Sequence, residues 1–158
     1  MKDLFPYHGE KILVTQEMCD YNGHMNTGSY TRCIDGCWGQ MYTDMGFDNE
    51  YFDKGYSSFT LEENLKYFKE FLEGDFIYPS FRIVGLNKKC IHILGCLLDS
   101  ENNISTVYET VLGHIDLNLR KITEMDISFF NSIASLKQSH DNLGGIPFNL
   151  RLSVKESV

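Results

Sequence analysis

The residues best suited to chemistry lie close together near the start of the chain. Asp20 supplies a carboxylate, His24 an imidazole and Asn26 an amide, with Gly23 among them. A stretch of helical periodicity follows at once, so the unpaired N–H groups of a helix N-terminus should lie beside these side chains. A carboxylate next to such donors suits attack on a polarised carbonyl, because the donors can hold the oxyanion that develops.

Each of these residues also has an ordinary structural use. Asp20 can shape a turn or cap a helix, and Asn26 is a good N-cap. Gly23 suits any loop that needs a positive φ. A single histidine such as His24 is more often structural than functional. It is the combination within seven positions that indicates a site.

The strongest periodic signal in the chain lies just after this segment. Apolar and aromatic residues recur at helical spacing and predict one helix from about residue 29 to residue 45. Residues 27–29 can cap its start, and Gly46 can end it. Gly36 and Gly39 fall inside it, each at a cost of about 1 kcal/mol relative to Ala. That cost predicts a close approach by another element, such as a curved sheet wrapped around the helix.

Strand patterns dominate much of the remainder. A β-branched run at 11–19 predicts a strand, and an acidic, aromatic stretch at 48–56 predicts a loop or short turn. Residues 57–72 fit either a strand or an amphipathic helix. Polar hairpin connections are expected at 87–89 and 99–103. They separate three predicted β segments, at 76–86, 90–98 and 106–117.

A second helical stripe at 122–139 completes the pattern, followed by a tail that is either mobile or docked on a partner. These elements predict an α+β fold with a single domain over 1–140 and a C-terminal tail over 141–158. One helix cannot cover both faces and both edges of the sheet. We therefore expect at least a dimer, with sheets joined across the interface.

Composition limits the possible partners and compartments. The chain has 158 residues and a formal net charge of -8, which argues against a nucleic-acid-binding surface. The first eleven residues lack the apolar core of a secretory signal, and no apolar stretch is long enough to span a membrane. Five cysteines without a CxxC pair predict reduced thiols in the cytoplasm. Cys33 and Cys37 have no further ligands to complete a zinc site, so no metal is expected.

The pattern D-x-x-G-H-x-N-x-x-x-Y, which ends at Tyr30, resembles the hot-dog-fold acyl-CoA thioesterases of the 4-hydroxybenzoyl-CoA thioesterase-like family. The likeness covers roughly residues 10 to 125. The longer pattern is similar to the betainyl-CoA thioesterase domain associated with carnitine dehydrogenase. Its later positions are Phe59-Thr60-Leu61-Glu62, Tyr67, Glu70, Gly74, Asp75, Lys89, His92, Glu109, His114 and Asp116.

This resemblance implies a fold and a reaction. The long helix would lie in a curved antiparallel sheet, and residues 60–72 would form a strand. The enzyme would hydrolyse an acyl-CoA, with a small or polar acyl group, to the free acid and coenzyme A. It would need no cofactor. A homodimer, or a homotetramer built from it, would share active sites between subunits at the helix N-terminus, with CoA entering along the interface.

The resemblance also implies roles for individual residues. Asp20 would activate water as a general base or attack the thioester directly. His24 would contact the thioester oxygen, orient Asp20 or contact the acyl group, and Asn26 would position the water. Backbone N–H groups at the helix start would stabilise the oxyanion, with Thr27, Gly28 and Ser29 as the donors. Substrate-binding residues would be Gly23, Tyr30 and Thr60.

The resemblance also implies that a second carboxylate approaches the site from the neighbouring subunit. Strand alternation places Thr60 and Glu62 on one face, where Glu62 could assist Asp20, while Glu63 is expected to be solvated. Two carboxylates around one site would raise the pKa of one of them and make it a better base. The alternative for Glu62 is a solvated charge.

Other candidate residues lie outside the motif. Lys88 and Lys89 could contact CoA phosphates or simply be solvated. Glu109 and His114 lie on opposite strand faces and are expected to be buried structural residues. Five aromatic residues could line an acyl pocket suited to a quaternary ammonium group, or could belong to the core. They are Tyr42, Phe47, Tyr51, Phe52 and Tyr56.

Two other functions remain open from the sequence. A hot-dog enoyl-CoA hydratase also uses Asp and His near a helix start, but usually within a Gly-Asp-x-Asn-Pro-x-His stretch whose proline is missing here. A non-catalytic acyl-CoA-binding module is the second alternative. The chain contains neither a Gly-x-Ser-x-Gly nucleophile elbow nor a Walker loop.

Overall fold

The computed structural model describes residues 1–155 and shows one antiparallel sheet with helices packed on one face. The sheet order is β1-β4-β5-β6-β3, with β2 pairing with β4 and β7 pairing with β6. The strands are β1 (Tyr7–His8), β2 (Ile12–Leu13), β3 (Tyr56–Tyr67), β4 (Phe76–Leu86), β5 (Cys90–Leu98), β6 (Ile104–Asp116) and β7 (Lys121–Ile122). The helices are α1 (Thr27–Asp35), α2 (Gly39–Asp44), α3 (Asn49–Asp53) and α4 (Ile127–Asp141), with 3-10 turns at Lys2–Leu4 and Gln16–Met18.

The sheet confirms the predicted strands and their hairpins. Strands β4, β5 and β6 coincide with the three predicted β segments to within two residues. Nearly every residue of β5 and β6 is buried, because helices cover one face of these strands and the C-terminal segment covers the other. Together with the helices, the sheet forms the α+β hot-dog arrangement that the resemblance implies.

The predicted single long helix is wrong in one respect, because it is broken in the middle. Helix α1 ends at Asp35, and Trp38 takes a non-helical conformation (φ -111°, ψ 15°) before α2 begins at Gly39. A Cβ built on Gly39 would meet nothing within 4 Å. The two glycines therefore do not mark a close approach; their low helix propensity allows the break.

Three further boundaries differ from the sequence prediction. The predicted strand 11–19 is reduced to β2 and followed by the 3-10 turn Gln16–Met18. The stretch 48–56 contains the short helix α3, because the Asp48 side chain caps it by accepting from the Tyr51 N–H at 2.9 Å. Helix α4 starts at Ile127 rather than 122, because Lys121–Ile122 pairs with β6 and Asp126 caps the helix.

The ambiguous segment 57–72 is a strand only as far as Tyr67. Residues 68–71 leave the sheet, and Leu72 forms an isolated antiparallel bridge with His24. The register of β3 against β6 shifts between Thr60 and Glu62, where two residues oppose one. This β-bulge matters for the site described below.

The main core lies between the sheet and helices α1 to α4. It includes Met41, Met45, Phe81, Ile93 and Ile133, each of which is fully buried. A smaller apolar cluster lies on the opposite face of the sheet and contains Phe5, Leu94, Cys96, Leu98 and Val107.

The C-terminal tail covers this second cluster. Ile146, Phe148 and Leu150 pack against it. The buried carboxylate of Glu109 accepts N–H groups from Arg151 at 2.9 and 3.1 Å and from Leu152 at 2.9 Å. The tail as far as residue 155 is thus docked on its own sheet, rather than mobile or on a partner, and residues 156–158 lie outside the described residues.

Glu109 and His114 are buried, as predicted, and have separate partners. Glu109 also contacts the Nε2 of His92 at 3.2 Å. The Nε2 of His114 lies 2.6 Å from the hydroxyl of Tyr51, and its Nδ1 lies 3.1 Å from the carbonyl of Thr123. Both residues have structural partners that account for them.

His140 makes the stability of this domain depend on pH. Its Nδ1 accepts the Ile83 N–H at 2.9 Å, and burial lowers the pKa of the imidazole from 6.5 to about 4. The unfolded chain therefore binds more protons between these values, so the free energy of unfolding should fall by about 3 kcal/mol from pH 7 to pH 4 through this residue. Urea titrations across this range should show a smaller fall in His140→Asn, whose amide oxygen can keep the bond. An equal fall in both proteins would contradict the assignment.

Candidate active site

A tight loop brings the predicted carboxylate and imidazole together. The Asp20 N–H donates to the His24 carbonyl at 2.9 Å, and the Gly23 N–H donates to the Asp20 carbonyl at 2.9 Å. Gly23 has a φ of 87°, which a residue with a side chain rarely adopts. The loop is closed by an antiparallel bridge between Cys19 and Met25. Its turn therefore presents Asp20 and His24 to the same side.

The imidazole of His24 lies between two carboxylates. Its Nε2 is 3.9 Å from the Asp20 Oδ2, and its Nδ1 is 3.4 Å from the Glu70 Oε2. The Asn22 Nδ2 lies 3.3 Å from the same Nε2. An imidazole with its proton on Nδ1 would direct that proton to Glu70 and leave Nε2 as an acceptor.

Glu70 belongs to the site, although the sequence predicts no role for it. In the sequence it is only one position of the longer family pattern. It reaches His24 because the Met25 N–H donates to the Phe71 carbonyl at 2.8 Å and because His24 pairs with Leu72. That pairing joins segments far apart in the chain, so no local periodicity could have indicated it.

Asn26 begins helix α1 as an N-cap. Its backbone is extended, and its Oδ1 accepts the Ser29 N–H at 2.9 Å. The Ser29 N–H is therefore already used within the helix. Within residues 1–155, the N–H groups of Thr27 and Gly28 have no protein acceptor. These two are the donors that the helix N-terminus offers to a ligand.

A cavity of about 390 Å³ opens at this helix start. The Tyr30 ring forms one wall and meets the Tyr67 ring edge-on at 4.9 Å between centroids. Its hydroxyl accepts the Phe71 N–H at 3.1 Å, and burial raises the pKa of that hydroxyl. Asp20 does not line the cavity; its Oδ2 lies 3.9 Å from the Nε2 of His24, which does. The residues that line it are His24, Met25, Thr27, Tyr30, Tyr67, Phe68, Lys69 and Glu70.

The prediction that Thr60 and Glu62 share a strand face is wrong. Thr60 pairs with Leu112, whose side chain belongs to the core under the helices, whereas Glu62 pairs with Val111 on the opposite face. The bulge at Leu61 reverses the alternation of β3. Glu63 therefore takes the helix-facing position.

Thr60 lines a second cavity, and the helix-facing Glu63 has a defined partner. The Tyr108 hydroxyl donates to the Glu63 carboxylate at 2.6 Å. The second cavity, of about 270 Å³, is also lined by Tyr42. Of the other aromatic residues proposed for an acyl pocket, Phe47 and Tyr51 belong to the buried core, and Phe52 and Tyr56 pack against it.

The two lysines proposed for CoA phosphates lie in the β4–β5 hairpin. The Lys89 Nζ lies 3.9 Å from the Glu124 carboxylate. Neither Lys88 nor Lys89 lines the cavity at the helix start; the basic residue that does so is Lys69, whose Nζ binds Asp99 at 2.9 Å. The phosphate contact stays a prediction.

Residues 1–155 contain neither a membrane-spanning helix nor a cluster of metal ligands. None of their helices has the length and apolar character needed to cross a membrane. No group of three or more His, Cys, Asp or Glu side chains in this range could hold a metal ion.

Comparison with known proteins gives one family and several relatives. The family described as the thioesterase-like superfamily matches residues 14–133. A betainyl-CoA thioesterase of Pseudomonas aeruginosa is 26% identical over 129 residues, covering 80% of this chain and 81% of that protein. An L-carnitine dehydrogenase/betainyl-CoA thioesterase of Agrobacterium fabrum is 21% identical over 137 residues, which is 87% of this chain but 28% of that longer protein. The chain thus spans less than a third of the length of such two-part relatives.

Solved structures share the fold. A Staphylococcus aureus protein of hypothetical function in complex with CoA superposes with a TM-score of 0.79 at 23% identity, covering 96% of this chain and 94% of that one. A Thermus thermophilus thioesterase complexed with coenzyme A and Zn gives a TM-score of 0.70 at 15% identity over 85% of this chain and 96% of that one. At these identities the likeness establishes the hot-dog fold.

Proposed function

Because the chain belongs to the thioesterase-like superfamily, we propose that it hydrolyses the thioester of an acyl-CoA to a free acid and coenzyme A. The observation that carries this proposal is the cavity where the start of α1, His24 and Glu70 meet. Curated relatives named for betainyl-CoA support a small, polar acyl group. We also propose that the protein acts in the cytoplasm.

The proposed reaction begins with the thioester carbonyl at the start of α1. Its oxygen accepts N–H groups from Thr27 and Gly28, which stabilise the negative charge that develops. Asp20 removes a proton from water, whose oxygen bonds to the carbonyl carbon. The tetrahedral intermediate then collapses, the C–S bond breaks, and the thiolate of coenzyme A takes up the proton that Asp20 had removed from water, which restores the carboxylate. Direct attack by Asp20, followed by hydrolysis of the anhydride, is the second form of the same proposal.

The neighbouring residues position these groups. Glu70 orients the imidazole of His24, which in turn faces Asp20. Asn26 fixes the helix start, because its Oδ1 accepts the Ser29 N–H. The amide nitrogen of Asn26 is then left to position the attacking water. Gly23 allows the turn, and Tyr30 walls the substrate cavity.

A dimer completes the proposed site. Strand β3 pairs with β6 on one edge, and within residues 1–155 its other edge has no partner strand. Leu61, Tyr67 and Phe68 are exposed there. Pairing with a second copy would bury them and bring Thr60 and Glu63, the helix-facing residues of β3, toward the helices of the other subunit, whereas Glu62 lies on the opposite face. Lys88 and Lys89 are proposed for the CoA phosphates, and a homotetramer would repeat this dimer.

A panel of acyl-CoA substrates tests the proposal. Thioester loss should be followed by ultraviolet absorbance, because the five free cysteines of the chain would react with thiol reagents. Turnover of at least one acyl-CoA to free acid and coenzyme A is the expected result. Loss of the enoyl absorbance of crotonyl-CoA without thioester cleavage would indicate a hydratase. Binding of the panel without turnover would indicate an acyl-CoA-binding module.

A further inference from the structure

Glu70 reaches the site on a short segment that has left the sheet. Residues 68–71 follow the end of β3 and lie outside it. The Glu70 carboxylate approaches the Nδ1 of His24 to 3.4 Å, although the Glu70 side chain is 60% exposed. An exposed glutamate has several free rotations, which packing does not restrict here. The conformation of the backbone at Glu70 must therefore determine where its carboxylate lies.

A buried serine holds the peptide group before Glu70. The Oγ of Ser105 donates to the Lys69 carbonyl at 2.5 Å. The Ser105 carbonyl accepts the N–H of Phe68 at 2.8 Å and that of Lys69 at 3.3 Å. Ser105 is fully buried, so water cannot replace these hydrogen bonds if they are lost. The Lys69 carbonyl and the Glu70 N–H belong to one planar peptide group, which is thereby fixed.

A buried tyrosine holds the peptide group after Glu70. The Tyr30 hydroxyl accepts the Phe71 N–H at 3.1 Å, and both residues are buried. The Phe71 N–H and the Glu70 carbonyl belong to one planar peptide group. Ser105 also hydrogen-bonds the Tyr30 hydroxyl. The two hydroxyls therefore act as one unit that grips the chain on either side of Glu70.

We infer that the hydroxyls of Tyr30 and Ser105 position Glu70 against His24 by fixing the two peptide groups that flank it. Burying a hydroxyl is costly, so phenylalanine and alanine would suit a core that needed only packing. Both hydroxyls instead bind the backbone around one site residue. The inference rests on the proposed function, in which Glu70 acts through His24. It makes Tyr30 and Ser105 positioning residues rather than catalytic ones.

The tautomer of His24 reports the position of Glu70 without any substrate. A carboxylate beside Nδ1 favours the neutral imidazole that carries its proton on that nitrogen. The variant Glu70→Ala gives the imidazole ¹⁵N resonances in the absence of this carboxylate. Tyr30→Phe and Ser105→Ala should each move the His24 resonances part of the way toward the Glu70→Ala values. Nitrogen–proton correlation spectra at a pH where the imidazole is neutral measure this shift.

Turnover gives a second readout. A residue that acts only through Glu70 can cost no more than the loss of Glu70 itself, for which about tenfold in kcat is expected. Tyr30→Phe and Ser105→Ala should therefore each lower kcat by about threefold to tenfold, with KM nearly constant. In the Glu70→Ala background, the same two substitutions should lower kcat by less than about twofold.

Two other buried hydroxyls supply matched controls. Tyr51→Phe removes a hydroxyl that lies 2.6 Å from the Nε2 of His114. Ser80→Ala removes a hydroxyl that lies 3.0 Å from the Nδ1 of His8. Neither Tyr51 nor Ser80 lines the cavity at the helix start. Each control loses a hydrogen bond of the same kind but should leave the His24 resonances and kcat unchanged.

The outcomes separate this inference from the proposed function. Unmoved His24 resonances in both variants overturn the inference, and so does an equal fall in kcat whether or not Glu70 is present. Failure of every thioester removes the proposed function and leaves the resonances to decide the positioning alone. If one variant does not fold, as judged by thermal unfolding, the other decides. Loss of folding in both overturns the inference, because the hydroxyls then serve the fold rather than Glu70.

Discussion

Asp20→Asn should lower kcat for acyl-CoA hydrolysis by about 100-fold or more. The amide keeps the volume of the carboxylate but can neither accept the proton of water nor attack the thioester. The side chain of Asp20 is 49% exposed, so the free energy of unfolding of the variant should differ little from that of the native protein. The loss should therefore fall on kcat, with KM and the thermal unfolding midpoint nearly constant.

Glu70→Gln distinguishes a positioning residue from the base. If Glu70 acts through His24, its loss should cost about tenfold in kcat, well short of the loss of about 100-fold or more expected for Asp20→Asn. Asp53→Asn, at the exposed end of α3, serves as the control for a lost surface charge. Native turnover by Asp20→Asn would end the carboxylate mechanism.

Isotope labelling separates the two forms of that mechanism. In a single turnover in ¹⁸O-labelled water, a general base leaves the Asp20 carboxylate unlabelled and places the label in the acid product. An anhydride intermediate instead places label in the Asp20 side chain when water attacks at that carbonyl. Mass spectrometry of the peptide that contains Asp20 reports which path operates.

Glu109→Gln should lower the free energy of unfolding by about 3 kcal/mol, the largest loss expected from a single isosteric change in this domain. The carboxylate is buried and accepts N–H groups of Arg151 and Leu152 while it contacts His92. An amide offers one acceptor oxygen and turns its own N–H groups toward donors that need an acceptor. Urea denaturation measures the difference.

Arg151→Ala is the informative comparison for this prediction. The bond to Glu109 uses the backbone N–H of Arg151, which the substitution keeps. We therefore expect a loss of less than about 1 kcal/mol. Equal destabilisation by both substitutions would mean that the side chain of Arg151, rather than the backbone clamp, holds the tail.

Local sequence was sufficient for the parts of the site that depend on local geometry. The loop from Asp20 to Asn26 and the helix start follow from residue type and spacing within a few positions. Strands β4, β5 and β6 follow from apolar runs bounded by polar turns. In each case the determining interactions join residues close in sequence.

The rest depended on contacts between distant segments. Glu70 lies beside His24 because the backbone of His24 pairs with that of Leu72, far along the chain. The side-chain pattern does not indicate this pairing. The bulge at Leu61 contains no glycine, so nothing in the sequence indicated that Glu63, rather than Glu62, faces the helices. Gly36 and Gly39 have a low helix propensity, from which the sequence predicts tight packing. In the structure they lie instead at the break between α1 and α2.

The docked tail constrains how larger assemblies can be built. Residues 146–152 cover part of the outer face of the sheet and fill the space above Leu94, Leu98 and Val107. Two copies of the proposed dimer that stacked back to back over this region would meet the tail rather than the sheet face beneath it. Direct contact between sheet faces in the proposed homotetramer would therefore require the tail to leave this face.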